Sequence, residues 1–431
     1  MILFIIILIN IRLFMTKHLI IDLIPLLPGG QNGGAKLVAL NLIQGFQQYI
    51  AVDRTWQVTL LTAPWNQAEL EQHTNDRITC KTLQHLTQGH PSLSSLTKKI
   101  HYKVSQLPIF PSLLTKLKAD LFFCPFSNPT LNSIDVPCIS ILHDIQHWEY
   151  SQFFSPKELK HRYQYFQRMI QYSDLIICVS HFSKRSLYDY CHHHDLLPKA
   201  TSVIYPYFKP SKPLLFNSQA DHIQIPLKFL DQTKLNAIPY LLYPANYWPH
   251  KNHKLFLQAY AEYLQWYKQW YEQSSPEIPY FHLVFTGTLA TEEQEIKRLA
   301  QSLNLTEAVH FLGYLDDPAF EIIWHHCQGL IFPSLYEGFG LPIVEAMERS
   351  KPILCSQIPC LEEVTQGACL YFNPADLHSM VTALRSFTLN PQLREKLKQQ
   401  SHDRYHYFQN LNPIADYVSL FQEMLHRTNA K

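Results

Sequence analysis

Residues 330–345 read LIFPSLYEGFGLPIVE, and this run narrows the choice of fold more than any other. Leu330, Ile331 and Phe332 form a short apolar block of the kind a buried strand uses. Pro333 and Ser334 end it. Gly338 and Gly340 let the backbone turn and approach a ligand closely. Pro342 suits the first position of a helix, where a missing N–H costs nothing, and IVEAMERS continues that helix. A glycine loop running into a helix start is an anion site, because unpaired N–H groups and the helix dipole point the same way. Glu337 and Glu345 frame the loop, and carboxylates accept several hydrogen bonds from sugar hydroxyls. Taken alone, the same pattern also fits a tight turn with two solvated glutamates.

The pattern occurs twice. A predicted strand over 18–27 leads into Gly29, Gly30, Gly33 and Gly34, and LVALNLIQGFQQY then has helical spacing. These glycines are paired and do not form G-x-G-x-x-G, which disfavours a nicotinamide oxidoreductase. Further strands are predicted over 57–62, 120–124, 136–142, 175–180, 201–205, 240–243, 282–286, 309–312 and 353–355. Helices are predicted over 162–172, 254–270, 292–303, 318–326 and 414–426, while residues 64–120 carry little pattern. The strand over 136–142 ends in His143 and Asp144, and in an open α/β sheet ligands sit at such strand ends. The aromatic residues of 254–270 recur at helical spacing and read as core. His192, His193 and His194 are adjacent, do not share one helix face, and read as solvated surface.

A chain of 431 residues exceeds one ordinary domain. Its formal net charge of +1 argues against a nucleic-acid binder. Nine cysteines without a C-x-x-C pair point to a reducing, cytoplasmic setting without disulfides. Residues 1–14 form an apolar run interrupted by Arg12 and too short to span a bilayer. Met15 begins an ordinary first strand, so 1–14 is expected to be an extension from a misplaced start codon, with a membrane anchor as the alternative. Pro210, Pro213 and Pro226 punctuate a polar stretch that reads as a linker.

EGFGLPIVE resembles the signature of retaining glycosyltransferases of the GT-B fold, glycosyltransferase family 4, and further segments match in the family's order from about residue 17 to 390. The resemblance implies an α/β protein with two Rossmann-like domains facing across a cleft. The expected boundaries are 15–208 for the acceptor domain, 209–239 for the linker, 240–410 for the nucleotide-sugar domain, and 411–431 for a helix crossing back to the first domain. It implies that Glu337 contacts the donor sugar and Glu345 the ribose. The backbone of Gly338, Phe339, Gly340 and Leu341 would meet sugar and phosphate, and the Gly33–Gly34 loop would cover the diphosphate. His143 would touch the sugar or support the reaction centre; Asp144 would orient its ring or bind acceptor, and His147 and Trp148 would help shape the acceptor cleft. VSHFSKRSL matches a family segment in which Ser180 and Ser183 serve packing and capping. Lys251, in WPHKN, matches a phosphate-binding lysine. One departure stands out: the family usually carries Arg five residues before that lysine, and here the position is Asn246. One cation is therefore missing, and His250 would replace it when protonated.

The function implied is metal-independent transfer of a hexosyl group from a nucleotide-diphospho-sugar, GDP- or UDP-linked, to a glycan or lipid-linked hydroxyl, with retention and without a cofactor. No two aspartates stand as D-x-D, the metal-holding arrangement of GT-A enzymes. HDIQHW and YPANYWPHKN favour mannosyl transfer, and a lipid-linked acceptor would bring the protein to the inner membrane face. Two alternatives stand: a nucleotide-sugar 2-epimerase, and a nucleotide-sugar-binding protein without transferase activity.

Overall fold

The computed structural model describes residues 16–29, 32–84, 112–208, 235, 238–274, 279–288 and 290–429. The extension 1–14, Gly30 and all but three residues of the stretch 209–239 lie outside the described residues. The chain divides into two compact units, one of Met1–Phe208 with Asn412–Lys431 and another of Lys209–Leu411.

The first unit is a seven-stranded sheet: β1 (Lys17–Asp22), β2 (Trp56–Thr62), β3 (Ile78–Thr82), β4 (Leu121–Cys124), β5 (Cys138–Leu142), β6 (Leu175–Cys178) and β7 (Thr201–Val203). Its order is β3-β2-β1-β4-β5-β6-β7 and every pairing is parallel. LFFC and LIIC are buried along their whole length, as strands covered by helices on both faces must be. The C-terminal helix Pro413–Asn429 belongs to this unit: Tyr417 and Phe421 pack on Phe46 and Phe123 at ring distances of 5.1 to 6.2 Å.

The second unit is a six-stranded sheet of β8 (Tyr240–Pro244), β9 (His282–Thr286), β10 (Val309–Gly313), β11 (Gly329–Phe332), β12 (Ile353–Ser356) and β13 (Leu370–Phe372). The order is β10-β9-β8-β11-β12-β13, again all parallel. Both units thus carry the Rossmann-like arrangement, with the strand order reversing at β1/β4 in the first and at β8/β11 in the second. The aromatic residues Phe256, Tyr260 and Tyr263 of helix His253–Ser274 are fully buried, as their spacing predicts.

Several boundaries differ from the sequence pattern, each for a local reason. The first strand stops at Asp22, not 27, because the Asp22 carboxylate accepts the Ile24 N–H (3.3 Å) and turns the chain, leaving Leu23 and Leu26 buried in a loop. The helix expected at 162 begins at Pro156, started by a reciprocal capping box between Ser155 and Glu158. β3 lies inside the uninformative stretch. Helix Leu377–Leu389 buries Met380, Val381, Leu384 and Phe387 at helical spacing, a stripe that sequence reasoning passed over, whereas helix Pro391–Gln409 is polar along most of its length. All nine cysteines are free. Among the described residues no helix is long and apolar enough to cross a membrane.

Candidate active site

In the second unit, the loops after β8 and β11 leave the sheet on either side of the point where strand order reverses. After β8 the chain makes a short 3-10 turn, Pro249–Lys251, and then Asn252 takes a left-handed conformation with φ 64°. A non-glycine residue in that region is strained unless its surroundings hold it. Here the buried Asn252 amide donates to the carbonyls of Pro333 (3.1 Å) and Pro374 (2.8 Å). The Tyr243 hydroxyl donates to the Lys251 carbonyl, and the Leu335 N–H to that of His250 (2.7 Å). These bonds aim Lys251 across the reversal point at the loop after β11. Its ammonium pairs with Glu337 at 2.5 Å, both side chains being at most 16% exposed, and lies 5.2 Å from the centre of the Phe332 ring. An ammonium over an aromatic face gains a further attraction.

The glycine loop then enters helix Leu341–Glu348 through Gly340, at φ 92°. The conformation favours glycine, and a Cβ on Gly340 would also press on Leu361 Cδ2 at 2.8 Å. Pro342 is the second helical residue rather than the first. Phe339 and Leu341 turn their side chains into the core, Phe339 against Phe408 at 6.2 Å. Glu345 is the fifth residue of the helix, one residue further in than a start at Pro342 would put it. Burial raises its carboxyl to about 7, an effect that the Arg349 guanidinium opposes and that Glu348 and Glu321 reinforce. Arg349 donates to the Glu345 carbonyl (2.9 Å), to Glu348 (2.8 Å) and to both oxygens of Glu321. Sequence reasoning missed this arginine, whose partner Glu321 lies on another helix.

Asn246 directs its side-chain oxygen to the Thr288 N–H (2.9 Å) and so braces the loop after β9. Gly287 makes that approach possible, since a Cβ there would lie 2.5 Å from the Ala245 carbonyl oxygen. His253 stacks on Tyr243 at 4.6 Å, and burial together with the Lys251 charge pushes its pKa to about 3.

In the first unit, His143 follows β5, and its Nε2 lies 2.8 Å from the Pro125 carbonyl after β4. A carbonyl only accepts, so Nε2 carries the proton and Nδ1 is left as an acceptor. Burial lowers the His143 pKa, which keeps the ring neutral, against the opposing pull of the Pro125 bond and of Asp144. The Ser183 hydroxyl donates to the His143 carbonyl (3.3 Å), and Ser180 caps helix His181–His193. The Asp144 carboxylate accepts the Gln146 N–H at 3.3 Å. His147 and Trp148 are packing residues: His147 is buried against Tyr163 and Phe166, and Trp148 meets Tyr190 edge-on at 5.7 Å. Their apolar surroundings reward burial of the rings over exposure to an acceptor.

Gly33 caps helix Gly34–Val52 at φ 53°, and its Cβ position is open. Lys36, unremarked in the sequence pattern, donates to the carbonyls of Leu27 (3.3 Å) and Gly29 (3.1 Å) and pairs with Glu69 at 2.7 Å, cross-bracing the loop. Asp22 was also missed. It is fully buried at the end of β1, where its carboxylate accepts the N–H and hydroxyl of Thr130 at 2.8 Å each, and burial raises its pKa to about 6. An aspartate closing an otherwise apolar strand was the available signal. Among the described residues no three His, Cys, Asp or Glu side chains gather as a metal site.

Residues 32–208 match the family described as Glycosyltransferase Family 4, and residues 230–404 match Glycosyl transferases group 1. Among curated proteins, O-antigen chain mannosyltransferase B of Escherichia coli is 24% identical over 245 residues, which is 56% of this chain and 58% of that protein. O-antigen chain mannosyltransferase RfbU of Salmonella typhimurium is 28% identical over 144 residues, 33% of this chain and 37% of that one. The matched stretches thus span about a third to under two thirds of these relatives' length. Among solved structures, Anabaena Alr3699/HepE in complex with UDP and glucose superposes with a TM-score of 0.64 at 18% identity, covering 96% of this chain and 100% of that one. Sucrose-phosphate synthase of Thermosynechococcus elongatus gives 0.65 at 18% identity, covering 95% and 99%. Two family models that cover both units in order, over two Rossmann-like parallel sheets, place this chain in glycosyltransferase family 4, with the GT-B fold.

Proposed function

We propose that the protein is a hexosyltransferase that takes its sugar from a nucleotide-diphospho-sugar and passes it to a hydroxyl of a glycan or lipid-linked acceptor, with retained configuration. The observation that carries this is the Lys251–Glu337 pair at the β8/β11 reversal point, beside a glycine-mediated helix start. As the sugar C1–O bond to the diphosphate breaks, negative charge grows on the leaving oxygen, and fixed positive groups lower the barrier. Lys251 and the N–H groups at the start of helix Leu341–Glu348 are the groups assigned to that charge. Glu337, released from Lys251 by the phosphate, then accepts hydroxyls of the sugar, and Glu345 accepts those of the ribose. The acceptor oxygen bonds to C1 on the face the diphosphate leaves, and its proton passes to the departing phosphate oxygen. His143 stays neutral and offers Nδ1 as an acceptor to a sugar hydroxyl.

A mannosyl group is the favoured cargo, because two relatives are mannosyltransferases by name; a relative in fold binds UDP and glucose, so the base is the open choice. The test is thermal melting with GDP-mannose, GDP, UDP-glucose and UDP, followed by transfer to a glycan acceptor with the anomer read by NMR. A GDP-selective rise in melting temperature with α-to-α transfer is expected, since a ligand that binds only the folded state raises its stability. No shift with any nucleotide would overturn the proposal. Asn246, uncharged and engaged with Thr288, favours one competitor, a binding protein without turnover. Donor-dependent melting with no transfer to any acceptor would select it.

A further inference from the structure

Away from the donor loops, helix Pro391–Gln409 carries His402 and His406 four residues apart on its exposed side. Residues at that spacing lie one above the other on a helix face. Their Nε2 atoms face each other at 3.2 Å, with ring centres 4.7 Å apart. The outer nitrogens are engaged as well: His402 Nδ1 lies 3.1 Å from the Ser350 hydroxyl, and His406 Nδ1 lies 3.0 Å from Gln409 Oε1. We propose that His402 and His406 form a two-histidine site for a divalent transition-metal ion, the remaining positions being filled by solvent.

Three features point to a chelate rather than to a chance pair. The first is distance. With metal–nitrogen bonds of about 2.05 Å, nitrogens 3.2 Å apart subtend roughly 100° at the metal, between the octahedral and tetrahedral angles. The second is orientation. Metal-bound imidazoles characteristically donate their other N–H to an oxygen, which fixes the tautomer and the ring plane. Gln409 Oε1 accepts only, so His406 carries its proton on Nδ1 and turns a lone pair from Nε2 toward His402. The third is that proton bookkeeping closes in both states. Without metal, Ser350 donates to His402 Nδ1, and His402 Nε2–H donates to His406 Nε2. With metal, His402 moves its proton to Nδ1 and donates to Ser350 Oγ, so both Nε2 lone pairs face the ion and no group loses its partner.

The site is independent of the transferase proposal. Ser350 follows directly on the helix that holds Glu345, so the ion would fasten helix Pro391–Gln409 to the end of that helix. Imidazole ligands bind Cu²⁺ more tightly than Ni²⁺ or Zn²⁺, and the same order is expected here.

The experiment uses the full chain without an affinity tag, titrated with Cu²⁺ or Zn²⁺ against a chelating indicator, with electron paramagnetic resonance on the copper form. The wild type should bind one equivalent that His402→Gln and His406→Gln each lose, and its copper spectrum should show two equivalent nitrogen couplings. Ser350→Ala keeps both rings and should weaken binding roughly 10-fold, the low end for loss of an orienting partner. Both glutamine variants keep a good helix former at an exposed position, and unchanged melting without metal verifies their fold. Equal stoichiometry and affinity in the wild type and the double variant, or no binding by the wild type, would overturn the proposal.

Discussion

The two sheets share a strand order, and each joins the loops that leave its reversal point, but they do so with opposite chemistry. In the second unit the join is a largely buried ion pair, Lys251 to Glu337. In the first it is a buried hydrogen-bonded clamp, Asp22 to Thr130, and His143, after β5, is kept neutral by burial and oriented by the Pro125 carbonyl. A phosphate needs a cation that can exchange its partner; a sugar hydroxyl needs neutral acceptors in fixed directions. The same backbone plan therefore carries an ion pair in one unit and a buried hydrogen-bonded clamp in the other, and the difference lies in side chains, not in topology.

The comparison is broken most directly by removing charge. Lys251→Ala should lower transfer roughly 10²–10³-fold, the usual loss for one group facing a developing anion. His143→Ala should cost less, because the ring it removes is neutral. Initial rates at saturating and limiting donor distinguish the two. If Lys251→Ala turns over like the wild type, or if His143→Ala costs more, charge is not what separates the units.

Next in size is the clamp. Asp22→Ala takes from a fully buried position the carboxylate that accepts the Thr130 N–H and hydroxyl and the Ile24 N–H. Stranded buried donors cost about 1–3 kcal/mol each, partly recovered by relaxation, so roughly 2–4 kcal/mol is expected in denaturant unfolding. Asp22→Asn keeps the shape and one acceptor oxygen and should cost less. An Asp22→Ala midpoint equal to the wild type would show that the first unit's reversal point is not clamped.

Glu345 supplies a pH test of the second unit. Its carboxyl is raised from 4.5 to about 7, mainly by burial. A raised carboxylate binds its proton more tightly when folded, so its contribution to stability is whole below pH 4.5, falls as pH climbs toward about 7, and is gone above that. Glu345→Gln cannot titrate. Its stability relative to the wild type should therefore rise by roughly 1–2 kcal/mol across that window, after allowance for partial exposure. Arg349→Gln removes the opposing cation and should steepen the wild-type slope. A stability difference that stays flat from pH 4.5 to 7 would mean that Glu345 is ionised throughout.

What the sequence disclosed follows from range. EGFGLPIVE sets strand end, loop and helix start within a single short run, so its geometry was legible without coordinates, apart from the depth of Glu345. Apolar runs announced most strands, because parallel strands buried on both faces are nearly continuous in Ile, Leu, Val and Phe. The supporting groups were not legible. Asp22 meets Thr130 across 108 positions and Arg349 meets Glu321 across 28, and no local pattern encodes either pairing. Lys36 sat in plain view after the paired glycines, but its carbonyl partners exist only once the loop has folded back. His147 and Trp148 show another limit of the sequence: their place next to His143 is local, whereas the packing of His147 on Tyr163 and Phe166 and of Trp148 on Tyr190 exists only in the folded unit.

The smallest test uses two helix ends, one from each unit. Helix His181–His193 is followed by Asp195 at φ 53°, and helix Leu341–Glu348 by Ser350 at φ 50°. Both ends close with the bond of a Schellman motif, from Leu196 N to the Cys191 carbonyl (2.8 Å) and from Lys351 N to that of Ala346 (2.8 Å). The left-handed residue in this motif is usually glycine. Aspartate tolerates the conformation through local hydrogen bonds, whereas serine does so less well. Ser350→Gly relieves the strain but frees more of the unfolded chain and deletes the exposed contact with His402, so a net gain of only about 0.5 kcal/mol is expected. Asp195→Gly should gain less still. A larger gain at Asp195 than at Ser350 in paired denaturant curves would show that the second unit's helix end is not the more strained, and would place the hydroxyl of Ser350 among the groups that hold that end together.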